Sequence, residues 1–451
     1  MKAREHLSFS PVAAAYPARR GVWRVALPSL LAVLLASCAA PPPAEQAAPR
    51  EAAPPAAAPQ PPTAAPPAAA PAPTAATPAP APPPPPILPF DEAVLSAANT
   101  LLGRAQLPPN PPEGKFRLVI DPLIDGVTGA QSKATQAMGS RIVALIKERY
   151  PQYEVQPFTA GNVQKSPLVL VGTFTGVNKD RKTEGAREAY RICLALADLK
   201  TGKLVSKGLA FARTDGVDPT PLAHFKDAPT WSEDNTTTGY IRTCQGTRAG
   251  DPIHPMYVNR IVAASMISEA MDAYGAGRYR EALNLYETVL RSPEGEQQRV
   301  YSGLYLTNWR LGRREAAIKA FGQLVDQGLD AKRLGVKFVF RPGAASLTAE
   351  SGPTATPYKL WLMELSSQAA KRQSCMEVVG HSSPTGPEPI NERLSQLRAE
   401  HVRGQLERAS PPLRKRLIAN GMGSRETMVG NGRDDASDAL DRRVEFKVIP
   451  C

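Results

Sequence analysis

Few side chains in this 451-residue sequence stand at spacings that could do chemistry. Cys38 closes the run Leu35-Ala36-Ser37-Cys38, directly after an apolar stretch from Val25 to Leu35, with small residues immediately before its thiol. Asp121 and Asp125 are spaced as a carboxylate pair for acid–base work. No nucleophile or metal-ligand set accompanies them, so strand-terminal turn residues are the preferred assignment. His381 has no partner His, Cys or Asp triad in the sequence and is not expected to bind a metal. The five cysteines, at 38, 193, 244, 375 and 451, show neither CxxC nor Cys/His spacing. No Ser/His/Asp or Cys/His constellation appears at recognisable spacing, so the chain is expected to be no enzyme and to need no cofactor.

The elements that carry these residues fall into blocks. Lys2, Arg4, Arg19, Arg20 and Arg24 precede an apolar run too short to cross a bilayer, which makes residues 1–37 an export signal. From 38 to 89 the chain is Pro/Ala low complexity and cannot build a core; it holds most of the excess among the 47 prolines. In polyproline geometry it would reach at most about 150 Å. A spacer of set length and a linker with no length requirement both fit. The net charge of +12 favours an anionic partner, or is ordinary surface charge.

Leu-Ala-Ser-Cys resembles the lipobox of bacterial lipoproteins, which implies that Cys38 is the lipidation site, becomes the first residue and anchors the chain in outer-membrane lipid, facing the periplasm. Export makes nucleic acid an implausible partner. With Cys38 acylated, four cysteines remain. Three pairings exist, of which Cys193–Cys244 with Cys375–Cys451 is the local one.

Residues 90–246 form the first folded block. FDEAVLSAANTLLGRA recurs near helical spacing, FRLVIDPLID (Phe116 to Asp125) reads as a buried strand, TQAMGSRIVALIKERYP as a helix and PLVLVGTFTGV as a strand. Tyr190 to Ala212 alternates like a hairpin around Lys200-Thr201-Gly202-Lys203. An α/β sandwich is expected. The segments LVIDPLID, LVLVGTFTG and CLALADLKTGKLV resemble the domain shared by curli-secretion, flagellar FlgO-type and LpoB-type envelope lipoproteins.

Residues 252–329 are helical and repeat. Gly277-Arg278-Tyr279-Arg280-Glu281-Ala282-Leu283 realigns on Gly312-Arg313-Arg314-Glu315-Ala316-Ala317-Ile318, with Tyr286 over Phe321, at a spacing of 35. This resembles tetratricopeptide helix pairs, which implies either a partner-binding surface or a helical spacer. Two copies bury little core alone, so a neighbouring domain is expected to support them.

Residues 335–451 read as strand (Val336 to Phe340), helix (Tyr358 to Arg372), strand (Cys375 to Gly380), helix (Asn391 to Ala409) and a last strand from Asp441 to Ile449, with a βαβ crossover; the run around Arg408, Arg414, Lys415 and Arg416 reads as helix end and loop. Gly380-His381-Ser382-Ser383, then Asn391 to Ala399, then Asp441-Arg442-Arg443-Val444-Glu445 resemble, in order, the GHTD, N-x-x-LS-x-x-RA and NRRVE motifs of the OmpA-like peptidoglycan-binding domain. The resemblance implies that Arg398 pairs with the carboxylate of the diaminopimelate stem peptide, because a guanidinium fork binds a carboxylate through two bonds. Asn391 holds the family's asparagine. Ser383 stands where the family places an aspartate facing the ammonium, and a neutral hydroxyl is weaker there. Weak wall binding, binding of a modified stem peptide and a fold kept for docking alone all remain open.

The expected protein is thus multidomain α/β plus α: a disordered Pro/Ala linker, an α/β sandwich, a short helical repeat and a C-terminal βαβ OmpA-like domain. Its expected role is a lipid-anchored scaffold that ties the outer membrane to peptidoglycan and presents surfaces to unidentified envelope proteins. The rival is a regulator of a peptidoglycan synthase.

Overall fold

The computed structural model describes residues 85–109, 114–185, 187–231, 234–347, 357–434 and 436–451. The expected signal, Cys38 and nearly all of the Pro/Ala tether lie outside the described residues. No helix among the described residues is long and apolar enough to cross a membrane.

The first block runs β1 (Ile87–Leu88), α1 (Phe90–Gly103), β2 (Phe116–Ile120), β3 (Ile124–Asp125), α2 (Lys133–Arg149), β4 (Tyr153–Gln156), α3 (Ala160–Lys165), β5 (Leu168–Val177), β6 (Ala189–Asp198) and β7 (Lys203–Arg213). They make a mixed sheet in the order β1-β7-β6-β5-β2-β4, with β3 also paired to β5. The expected strand from Phe116 to Asp125 is interrupted because Pro122 has no N–H to give the ladder. Along β5 successive side chains take opposite faces, as strand geometry requires. Leu168, Leu170 and Phe174 pack under α1 and α2. Val169 and Val171 pack against Tyr240, Cys244, Tyr257 and Ile261 on the other face.

That second layer comes from α4 (Ala223–Asp227), β8 (Thr230–Trp231), α5 (Asn235–Cys244), α6 (Pro255–Val258) and the start of α7 (Ile261–Gly275). The chain therefore passes from one core to the next inside α7. Asp125 is a turn residue, accepting the Val127 and Thr128 N–H groups at 3.0 and 2.7 Å. Asp121 is not. Its carboxyl is buried beside a cavity of about 30 Å³ and accepts the Tyr257 hydroxyl at 2.7 Å. Burial pushes it up to about 7, against the opposing pull of the Tyr257 bond and Arg299.

The helices α7, α8 (Tyr279–Leu290), α9 (Gln298–Arg310) and α10 (Arg314–Asp330) form two hairpins. The repeat glycines Gly277 and Gly312 both sit in the left-handed region, each with φ of 76°, where a β-carbon is penalised. Ala282, Tyr286 and Val289 in one copy, and Ala317, Phe321 and Leu324 in the other, are buried.

The last block runs β9 (Arg333–Val336), α11 (Tyr358–Lys371), β10 (Cys375–Gly380), α12 (Glu388–Ala409), β11 (Leu417–Gly421), α13 (Ala436–Asp441) and β12 (Val444–Ile449), in a sheet ordered β11-β10-β12-β9-β8. Two expectations change. The first strand ends at Val336, because Phe338 and Phe340 turn fully into the core and the Val339 N–H donates to the Tyr358 hydroxyl at 3.0 Å. The crossover unit is β10-α12-β11, a parallel pair, whereas β9 lies antiparallel to β12. The edge strand β11 follows Arg416, in a segment for which the sequence carried no expectation.

The blocks are interlocked. β8 pairs with β9 through Thr230↔Val336 and Trp231↔Gly335, so a strand from the first block completes the last block's sheet. The repeat core runs on into that sheet: Phe321 stacks on Trp361 at 5.5 Å, Trp361 Nε1 donates to the Tyr305 hydroxyl at 2.9 Å, and Phe338 bridges to Phe446. A disulfide joins Cys375 to Cys451. Cys193 and Cys244 are free.

Two predictions follow from this packing. Trp361→Ala, which empties the junction of repeat and sheet, should lower unfolding free energy by about 3–5 kcal/mol in denaturant titration. The raised Asp121 means that its contribution to stability is fully present below about pH 4 and is lost as pH rises through about 7. Asp121→Asn should accordingly show a smaller fall in Tm between pH 5 and pH 8 than the parent chain.

Candidate functional site

The three C-terminal motifs converge at one end of the β10-α12-β11 unit. β10 ends at Gly380, so that His381, Ser382 and Ser383 lie in the turn that leads to α12. A β-carbon at Gly380 would fall 2.0 Å from the Ser395 carbonyl, and one at Gly421 2.4 Å from the Gln396 nitrogen. Glycine at both strand ends thus lets α12 lie directly on the sheet. The Gly423 N–H donates to Ser395 Oγ at 2.9 Å and fixes the register.

Asn391, Ser395 and Arg398 recur at helical spacing on the buried face of α12. Arg398 is completely buried. Its Nε donates to the Ala344 carbonyl at 3.1 Å, Nη1 to the His381 carbonyl at 3.3 Å and Nη2 to the Arg341 carbonyl at 3.4 Å. The guanidinium lies 5.1 Å from the centre of the Phe340 ring. No carboxylate among the described residues pairs with it. Burial, reinforced by the positive Arg442 nearby, pulls it down to about 10. The guanidinium is held only by carbonyl dipoles and a ring face, under a segment in which Arg341, Pro342, Gly343 and Ser346 are exposed and Ala344 and Ala345 half-buried.

The other expected site residues divide. Ser383 is buried in the strand-end turn, two residues past the carbonyl that Arg398 holds. Asn391 does not take part in the Arg398 hydrogen bonds: its Nδ2 donates to the Gly386 carbonyl at 3.4 Å, closing the turn. Around them, Ser382 Oγ, Thr385 Oγ1 and Arg442 Nε are buried without a hydrogen-bond partner among the described residues.

His381 is fully buried with neither ring nitrogen hydrogen-bonded. The structure brings two carboxylates that the sequence did not place there: Glu426 lies 3.9 Å from Nδ1 and Glu445 3.9 Å from Nε2. The three could surround a cation. Glu445 is already engaged, however, by Arg443 at 2.7 Å and Arg333 at 3.0 Å, so a divalent ion there would face two guanidiniums. Burial, then Arg443, pulls His381 down to about 3, which keeps the ring neutral. Burial alone would raise Glu445, but Arg443 and Arg333 hold it at about 2. Arg443 and Glu445 stand two residues apart, a spacing that puts both on one face of a strand, and this was the available sequence signal.

The loop between β11 and α13 is held from two sides. Asp441 accepts the N–H groups of Met428, Val429 and Gly430 at 2.8, 3.0 and 2.7 Å. From the first block, Arg187 donates to the carbonyls of Val429 at 2.7 Å and Met428. Nothing in the sequence pointed to Arg187, because the contact spans more than two hundred residues.

The pattern of the OmpA family matches residues 339–439, so the C-terminal block is OmpA-like. No curated protein matches the chain. Among solved structures, the peptidoglycan-associated lipoprotein from Burkholderia pseudomallei is 24% identical over 25% of this chain and 88% of its own, with a TM-score of 0.22. The cell wall anchor of the T6SS from Pseudomonas aeruginosa is 21% identical over 29% of this chain and 97% of its own, with a TM-score of 0.23. The OmpA-like domain of FopA1 from Francisella tularensis is 19% identical over 26% of this chain and 76% of its own, with a TM-score of 0.21.

The buried ion pair gives a direct check. Glu445→Gln leaves Arg443 buried without its countercharge and should cost about 3–5 kcal/mol of stability in chemical denaturation. Because Glu445 is depressed, the parent keeps this contribution above about pH 4 and loses it only as pH falls through about 2.

Proposed function

We propose that this chain is a non-enzymatic envelope scaffold, lipid-anchored at Cys38 in the outer membrane and facing the periplasm, whose OmpA-like domain holds the peptidoglycan stem peptide. One observation carries the proposal: Arg398, inside the segment that matches the OmpA family pattern, is a buried guanidinium with no carboxylate partner among the described residues. A ligand carboxylate is the group it lacks. Asn391 shapes the turn, and Ser383 replaces the family's acidic partner for the ammonium, which makes the grip weak. The paired helices, similar to tetratricopeptide repeats, and the first α/β block, similar to FlgO-, LpoB- and curli-type lipoproteins, present surfaces to envelope proteins.

A second reading is favoured by the Arg341 and Ala344 carbonyls that cover Arg398. In it the OmpA-like domain is a docking module without wall binding, and the protein regulates a peptidoglycan synthase. A ligand must displace those carbonyls to reach the guanidinium, which again points to low affinity.

Sedimentation with purified sacculi separates the two. The parent should bind weakly, Ser383→Asp roughly tenfold more tightly, and Arg398→Ala not at all. Arg398→Lys, which keeps the charge but not the fork, should bind less than the parent while retaining its Tm more nearly than the alanine variant. Tight binding indifferent to both Arg398 variants would sink the assigned site; no binding by the parent or by Ser383→Asp would favour the docking module.

A further inference from the structure

A second concentration of reactive groups lies in the first block, far along the chain from the OmpA-like motifs. Cys193, in the middle of β6, points toward the layer formed by α5, and Cys244 is the last residue of α5. Both are free and buried. The Cys193 thiol donates to the Cys244 carbonyl at 2.8 Å. Gln245 fixes the end of the helix: its Nε2 donates to Thr173 and Thr175 on β5 at 3.1 and 3.2 Å, and its Oε1 accepts from Arg191 at 2.9 Å. The thiols therefore cannot drift apart without breaking the seat of α5.

Beside them opens a cavity of about 480 Å³ lined by Arg104, Arg191, Lys207 and both cysteines, with no Asp or Glu in its wall. Lys207 donates to the Cys244 carbonyl and to Thr247 Oγ1, the latter at 3.0 Å. The bond from Cys244, with Lys207 and Arg191 adding to it against the cost of burial, brings the Cys193 thiol down to about 7. Cys244 goes the other way, raised by burial and by Cys193. Cys193 is thus the more readily ionised of the two thiols, and it is the thiolate that attacks.

We propose that Cys193 and Cys244 are a redox-active dithiol site, with Cys193 the nucleophile, Cys244 the resolving thiol, and a small carboxylate-bearing disulfide drawn into the cationic cavity as the oxidant. The Cys193 thiolate attacks one sulfur of the disulfide, the S–S bond breaks, and the first half leaves as a thiolate that takes up a proton. Cys244 then loses its proton to solvent and attacks the Cys193 sulfur, and the second half leaves as a thiol. The protein gives up two electrons and two protons, and one small disulfide becomes two thiols. The product bond joins β6 to the end of α5.

Oxidised glutathione serves as the probe on the full chain, with peptide mass mapping after trapping by alkylation. Cys193 should alkylate with a midpoint near pH 7, and Lys207→Gln should move that midpoint upward. Exposure to glutathione disulfide should yield linked Cys193 and Cys244 peptides two hydrogens lighter with no glutathione retained, whereas Cys244→Ser should keep glutathione on Cys193. The proposal is overturned if neither thiol reacts in the folded chain, if Cys193 alkylates with the ordinary midpoint of about 8.5, or if glutathione remains on the parent. Circular dichroism of Cys244→Ser and Lys207→Gln checks that the variants are folded.

Discussion

Two residues, Thr230 and Trp231, decide the architecture, because as β8 they lie against β9 and place the edge of one domain's sheet in the hands of another. Backbone groups at a sheet edge must find partners, and here the partner is supplied from the opposite side of the helical repeat. Lys337 reinforces the joint: its ammonium lies 4.0 Å from the centre of the Trp231 ring, and its backbone N–H donates to the Pro229 carbonyl at 2.9 Å. With that edge closed, the repeat hairpins have a fixed floor, and Tyr305, Phe321 and Trp361 fill the space between. Two helix pairs that would bury little by themselves become part of a larger core.

At the OmpA-like end, the governing quantity is uncompensated charge. Arg443 and Glu445 neutralise one another inside the fold, so their position is set by their own attraction. Arg398 has only dipoles. Burying an unpaired cation is costly, and the chain lowers that cost with three carbonyls and an aromatic face in place of an acid.

Much of the positioning scaffold was legible in the sequence. The apolar strand run at Leu168–Val177, the hairpin turn at residues 200–203 and the repeated glycines at 277 and 312 correspond to elements whose signals are local. What escaped was non-local or carried by backbone. β8 is two residues long and has no pattern of its own; it exists because β9 offers a ladder. β11 follows three basic residues and has only Leu417 fully turned inward, so its alternation is faint. Val336 to Phe340 alternates well yet leaves the sheet, since Phe338 and Phe340 gain more by entering the aromatic core. In the site, Arg398 and the Arg443–Glu445 spacing were visible as residue types. The carbonyl cover from Arg341 and Ala344 was not, because a carbonyl belongs to every residue and leaves no trace in a sequence.

The sheet order β11-β10-β12-β9-β8 puts β12, the last strand along the chain, in the middle position. Neither β9 with its β8 neighbour nor β10 with its β11 neighbour can join the other half until β12 arrives between them. The half-sheets must wait as separate, open-edged pieces while the chain emerges, and the closing event brings together segments more than a hundred residues apart. Such long-range closure is slow, and it makes assembly of this end a single late step instead of a progressive one. The Cys375–Cys451 bond, which ties the start of β10 to a residue two places beyond β12, can form in its native place only after that step and then keeps the central strand from being the first to leave.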